Sequence, residues 1–291
     1  MKNNFLSKLG LISSMTIFGT IGLFVKHTPL PSSLIAMIRG FIGMLFLLAV
    51  VFIKRDKISW QIIKKHAVLL FTSGAFIGVN WILLFESYRY TTVATATLCY
   101  YMAPIFIILA SPIFLKERLT LKKLLCVTVA LVGMIFVSGI LNLSGFAAGE
   151  TTGILLGLGA AVLYASVILM NKKLAEVPTY DKTLIQLGAA AVVILPYTLL
   201  TENLGEINFT PTIIILLLIM GIVHTGISYA LYFDAVGKIP SQTVAIFSYI
   251  DPIVAIILSA IFLKEPMGLF GIIGAVMILG ATFISELPEK K

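Results

Sequence analysis

Long apolar runs and short polar linkers alternate from one end of this chain to the other. Ten runs can be marked: residues 9–25, 33–53, 67–88, 93–115, 121–140, 152–171, 183–200, 211–233, 241–263 and 268–285. At 1.5 Å rise per residue, a helix of about 20 apolar residues crosses a hydrocarbon core about 30 Å thick. Strands of a membrane barrel would instead be about 10 residues of alternating pattern, which is not what the runs show. The linkers carry Pro29, Pro31, Gly145, Gly149, Pro178, Gly205 and Pro240, and none is long enough to hold a soluble domain. The pattern therefore predicts an all-α integral membrane protein with ten transmembrane helices.

The chain also repeats itself. Residues 104–117 (PIFIILASPIFLKE) and 252–265 (PIVAIILSAIFLKE) agree at nine of fourteen positions, offset by 148 residues. This divides the 291 residues into repeats at 1–142 and 150–288, each with five runs. Five is odd, so a second copy that follows the first through a bilayer enters from the opposite side. Two inverted five-helix repeats are a mark of secondary transporters.

Composition agrees with the pattern. Apolar residues make up 59% of the chain and charged residues 12%, against about 45–50% and about 25% in soluble domains. The net charge of +8 does not point to nucleic acid, because the basic residues sit in linkers, where they set topology. With the N-terminus in the cytoplasm, seventeen Lys and Arg fall inside, and only Lys26, Arg89 and Lys264 fall outside. Both termini are expected in the cytoplasm, and the membrane is read as the plasma membrane. Cys99 and Cys126 lie inside apolar runs and behave as small hydrophobes. The first run has a counterpart in the second half (Phe18 and Lys26 align with Tyr164 and Lys172), so it is read as a span rather than a cleaved signal.

These features resemble the drug/metabolite transporter superfamily, in particular its ten-helix EamA-type members. The likeness is carried by MTIFGTIGLFVK (15–26), the IRG step (38–40), FESYRYTTVATATL (85–98), Pro104 with LKERLT (115–120), Gly133, and then Pro252, LKE (263–265) and Gly280. The resemblance implies an exporter of amino acids or other small metabolites, driven by an ion gradient or by exchange. It also implies a central cavity walled by the first four helices of each repeat. The chain departs from the family pattern at Ala103, where a carboxylate is common, and at Gln186, the counterpart of Arg39.

A few residues stand out against the apolar background. Asp251 lies near the centre of its span, where an acid costs about 2.5–3.5 kcal/mol on insertion scales and is functional by default. It is the leading candidate for both substrate binding and proton coupling. Its structural alternative is a neutral, hydrogen-bonded Asp that fixes packing. Arg39 reads either as a partner for a carboxylate or as a residue snorkelling to the outer headgroups. His224 and Glu86 are further proton-coupling candidates, with packing and an interfacial ion pair to Arg89 as their structural readings. Asp234 is the repeat mate of Glu86 and has Lys238 beside it. Asn80, Trp81, Tyr229 and the repeat pair Tyr101 and Tyr249 are candidate substrate-binding residues. Pro104 and Pro252 are candidate helix breaks that free the carbonyls of Tyr100 and Ser248. Such carbonyls are tolerated in a bilayer only against protein or a wet cavity.

Protease motifs of the rhomboid, aspartyl and metalloprotease kinds are absent, so no enzyme is expected. No cofactor or metal is expected either. The expected partners are a small solute, protons or a counter-solute, and lipid. The excess of acids over bases in the spans favours a solute bearing an amine. A zwitterionic amino acid is the leading choice and a cationic amine the alternative, with a passive channel as a competitor of another kind.

Overall fold

A computed structural model describes residues 2–55, 58–114, 119–137, 149–236, 238, 247–265 and 267–287. Residues 115–118, which hold the LKE of the first repeat, Asp56, Lys57, Gly145, Pro240, Pro266 and the start of the ninth predicted span lie outside the described residues, as does the Asp234 side chain.

Among the described residues the regular elements are helical. The first half contains α1 (Lys2–Lys26), α2 (Ser32–Lys54), the short α3 (Trp60–Lys65), α4 (Ala67–Tyr90), α5 (Val93–Tyr100), α6 (Ala103–Phe114) and α7 (Leu121–Val137). The second contains α8 (Glu150–Lys173), α9 (Thr179–Thr201), α10 (Pro211–Leu218), a π-helical stretch Ile219–Ile227, α11 (Ser228–Val236), α12 (Ile250–Phe262) and α13 (Leu269–Glu286). Among the described residues, seven spans are long and apolar enough to cross a membrane, two of them by joining α5 with α6 and α10 with α11, and two shorter apolar helices lie near the C-terminus. Exposed residues such as Phe52, Val68, Ile113 and Leu200 cover the outside. A soluble protein does not leave so much apolar surface bare, and here the bilayer is what covers it.

Two of the expected spans are not continuous. The fourth breaks at Tyr101 and Met102, so that Pro104 opens α6 instead of kinking a single helix. The ninth breaks at Tyr249, the N-cap of α12, with Pro252 in its first turn. Proline lacks an N–H and is cheap in a first turn, so both helices restart where proline costs least. The eighth span is also irregular, because its middle winds as a π-helix. The i−5 carbonyls there take side-chain hydrogen bonds from Thr225 (to Met220, 3.1 Å) and Ser228 (to Val223, 2.9 Å).

The packing has an internal symmetry. Exchanging the halves turns the α4–α8 contact into that of α1 with α11, and the α4–α9 contact into that of α2 with the π-helical stretch. It likewise turns α1–α12 into α8–α6, and returns α2–α9 and α7–α13 to themselves. Small residues permit these approaches. A Cβ on Gly74 of α4 would stand 2.5 Å from the Gln186 carbonyl oxygen of α9. Gln186 itself binds Ser73 and Asn171, each at 2.7 Å, and so ties α4, α8 and α9 into one buried polar knot.

Candidate functional site

The interior of the bundle holds charge. Arg39, on the second turn of α2, is 5% exposed. Its guanidinium carbon sits 4.4 Å from the Trp81 ring centroid and 5.5 Å from that of Phe85, both on α4. Two aromatic faces four residues apart on one helix thus form a shelf for the cation. Arg39 Nε donates to Thr225 Oγ1 of the π-helical stretch at 2.7 Å. Among the described residues the guanidinium makes no other hydrogen bond, and no ion pair. Its terminal N–H groups are free for a ligand. The snorkelling alternative does not describe this side chain, which is held inside the bundle.

Asp251 enters the same interior from the first turn of α12, where the helix dipole favours a carboxylate. The Tyr101 hydroxyl contacts it and also donates to the Ser248 carbonyl at 3.2 Å. That carbonyl is the one Pro252 releases, so the first half supplies the donor that the break in the second half needs. Arg39 and Asp251 lie within each other's electrostatic field without touching. Tyr88, Tyr100 and Tyr229 line the Arg39 side, and Tyr100, Tyr101 and Tyr164 the Asp251 side. Tyr100 packs against Tyr164 with tilted rings, centroids 5.1 Å apart, and Phe18 against Tyr229 at 5.3 Å, also tilted. Tyr100, Tyr101, Tyr229 and Asp251 keep some accessible surface deep in the bundle, as residues lining an internal space do.

His224 is buried beside this site. Its Nε2 lies 2.7 Å from Thr20 Oγ1, its Nδ1 3.4 Å from the Ile219 carbonyl, and its ring packs against Phe24. Other expected residues stand elsewhere. Asn80 Nδ2 donates to the Ala160 carbonyl at 2.5 Å and joins α4 to α8. Glu86 accepts from Ser32 Oγ at 2.6 Å and faces Arg89 at 3.5 Å, at the end of α4. Tyr249 sets its ring against Phe283 of α13, 5.8 Å between centroids, so it does not share the environment of Tyr101. The break in the ninth span turns it towards the outer helix. Thr225, Phe85 and Tyr88 were not singled out in the sequence. Phe85 and Tyr88 fall in a motif with many aromatics, and Thr225 is brought to Arg39 by a π-helical register that periodicity does not reveal.

The end of the bundle that holds Glu86 is laced by further polar contacts. Lys26 meets Glu265 at 3.0 Å, and Glu265 also accepts from Val93 N–H at 3.0 Å and Ser259 Oγ at 2.7 Å. Ser33 donates to Glu202 at 2.8 Å, and Arg89 reaches the Leu30 carbonyl. At the opposite end, Glu176 binds Lys65 at 2.9 Å and His66 at 2.6 Å, and Ser59 N–H donates to Asp181 at 2.9 Å.

A helical bundle with an apolar flank and a charged, tyrosine-lined interior is a multi-pass membrane protein of the transporter kind. The EamA-like transporter family matches residues 6–139 and again residues 151–286, and the chain belongs to that family, within the drug/metabolite transporter superfamily. Among its relatives is YxxF, an uncharacterized transporter of Bacillus subtilis (strain 168), 30% identical over 286 residues that cover 96% of this chain and 89% of YxxF. An uncharacterized transporter of Archaeoglobus fulgidus is 25% identical over 276 residues, covering 94% of each chain. A solved crystal structure shares the fold, with a TM-score of 0.66 over 96% of both chains at 20% identity.

Proposed function

We propose that this transporter carries a small zwitterionic metabolite such as an amino acid, with Arg39 binding the carboxylate and Asp251 the amine. The observation that carries this reading is a buried cation and a buried anion in one aromatic interior, neither of them paired with the other. Removing a charge from water costs several kcal/mol. A fold that needed the two charges only for stability would join them. A solute bearing both complementary charges satisfies each residue in turn, and the tyrosines offer hydroxyls and ring faces to its remainder.

The membrane arrangement belongs to the same proposal. Ten spans form two oppositely inserted repeats, both termini lie in the cytoplasm, and the protein exports across the plasma membrane. The symmetry of the helix contacts and the linker charges support this reading. The end laced by Lys26 and Glu265 is then the outer one. Asp251 alternates between a proton and the substrate amine, which couples export to a proton gradient or to exchange. Glu86 and His224 are the second-rank candidates for coupling, since both are held by neighbouring hydroxyls. A cysteine at Asn208 is expected to react from outside, and one at Glu176 only after permeabilisation.

The test is counterflow in proteoliposomes loaded with a panel of amino acids and with the corresponding amines. Saturable exchange of amino acids that Arg39→Gln removes is expected. The second reading, a cationic amine, draws on the tyrosines around Asp251, whose faces attract cations. Equal exchange of the amines that survives Arg39→Gln would select it. Flux that does not saturate would point to a channel.

A further inference from the structure

A cleft that none of these charged residues lines opens between α7 and α13. These two helices touch where Gly133 meets Gly274: a Cβ on Gly274 would stand 2.5 Å from the Gly133 carbonyl oxygen. Just beyond, Phe136 and Phe270 stack in parallel with centroids 5.8 Å apart. The 148-residue offset makes Ala281 the repeat mate of Gly133 and Cys126 the mate of Gly274. So the symmetric counterpart of the glycine contact carries two larger side chains. The helices are clamped at one end and propped open at the other.

The propped end is a cleft of about 600 Å³. Cys126, Gly280 and Ala281 form its floor, and Leu125, Val129 and Ile284 are among its walls. Open space surrounds the position a Gly280 Cβ would take. From Leu121 to Val129 the cleft extends about 12 Å at helical rise, which keeps it within one leaflet of a core about 30 Å thick. Lys122 stands at its mouth. Its ammonium donates to the Leu287 carbonyl at 2.6 Å, which uses one of three donors.

We infer that this cleft is a site for an anionic phospholipid of the adjoining leaflet, one acyl chain lying on the Cys126–Gly280–Ala281 floor and the headgroup phosphate on Lys122. The small floor residues leave room for an acyl chain, and the ammonium supplies the complementary charge at the depth of the headgroups. Basic groups between helices at a cytoplasmic surface are suited to acidic headgroups. The inference does not depend on which solute the interior carries.

Native mass spectrometry of the protein released from vesicles of equal phosphatidylglycerol and phosphatidylethanolamine tests it. The wild-type chain is expected to retain one phosphatidylglycerol. Gly280→Leu, which fills the trough where there is room, is expected to lose it. Lys122→Gln is expected to keep a lipid but to prefer phosphatidylglycerol about fivefold less. Equal retention of the lipid by wild type and a monodisperse Gly280→Leu would overturn the site. So would an unchanged headgroup preference in Lys122→Gln, which decides the matter alone if Gly280→Leu folds poorly. A wild-type dimer that Gly280→Leu separates, with no lipid retained, would assign the cleft to a second copy instead.

Discussion

The Tyr101 hydroxyl donates to the Ser248 carbonyl across 3.2 Å, from the break in the fourth span to the break in the ninth. Pro252 cannot supply the N–H that this carbonyl would otherwise receive, and the phenol replaces it. The two halves are thereby joined at the place where the second is weakest, one turn from Asp251. The proposed amine site and the helix break meet at one phenol.

Tyr101→Phe keeps the ring and deletes that donor. The Ser248 carbonyl and the Asp251 carboxyl lose a partner together, so the protein should be destabilised by about 1–3 kcal/mol. Thermal unfolding in detergent checks the stability. The pH profile of counterflow should shift as well, because the hydroxyl contacts the carboxyl directly. A drop in stability with an unchanged profile would reduce Tyr101 to a structural role.

Asp251→Asn retains shape and removes the charge. Accumulation against a gradient should disappear, and an amine-bearing substrate should bind more weakly by about 1.5–3 kcal/mol. Proteoliposomes with an imposed pH gradient read the first effect, and substrate-induced thermal shift the second. Uphill transport with its pH dependence intact would move coupling to Glu86 or His224.

Gly74→Ala should destabilise the bundle without touching the charged interior. The added methyl would stand 2.5 Å from a backbone carbonyl of α9 that the Gln186 knot holds in place. Overpacking of this kind costs about 1–3 kcal/mol. The unfolding temperature should fall, while substrate affinity measured well below that temperature stays constant.

Glu176 gives a pH signature at the other end. Its carboxylate is held below the ordinary value of 4.5 by hydrogen bonds from Lys65 and then His66. A lowered folded-state value means a stabilising contribution that is present above the unfolded value and lost as pH falls through the folded one. The pair is solvent-exposed and salt screens it, so the effect is small. In unfolding curves, wild type should exceed Glu176→Gln at neutral pH, the gap closing as pH drops below 4.5. A gap that persists at pH 3 would contradict this.

Much of the architecture was legible in the order of residues. A bilayer imposes a minimum apolar length and forbids unpaired backbone, so runs of apolar residues translate directly into helices. Asp251 and Arg39 were conspicuous for the same reason, since charge inside such a run is costly and cannot be incidental. The Phe-Glu-Ser-Tyr motif and the two prolines marked the right segments too. The repeat, however, promised equivalence for Tyr101 and Tyr249, and the folded chain separates them: one ring faces a charge, the other a phenylalanine of the outermost helix. Asn80 drew attention as a polar residue in a span, yet its amide is spent on a neighbouring helix.

The sequence by itself determined what one-dimensional physics can determine: which segments are apolar enough to cross a bilayer, that one motif recurs at an offset of 148 residues, and where charge inside such a segment is costly. Tertiary packing decided which of those residues meet. Arg39 and Thr225 are 186 positions apart, and only the approach of α2 to a π-helical turn brings them together. Side-chain hydrogen bonds to i−5 carbonyls accompany that turn, a register that is rare in helices. The cleft between α7 and α13 has the same origin. Two glycines that meet at one end and two larger residues at the other are brought opposite each other by the crossing of two helices, and the spacing along either one does not contain it.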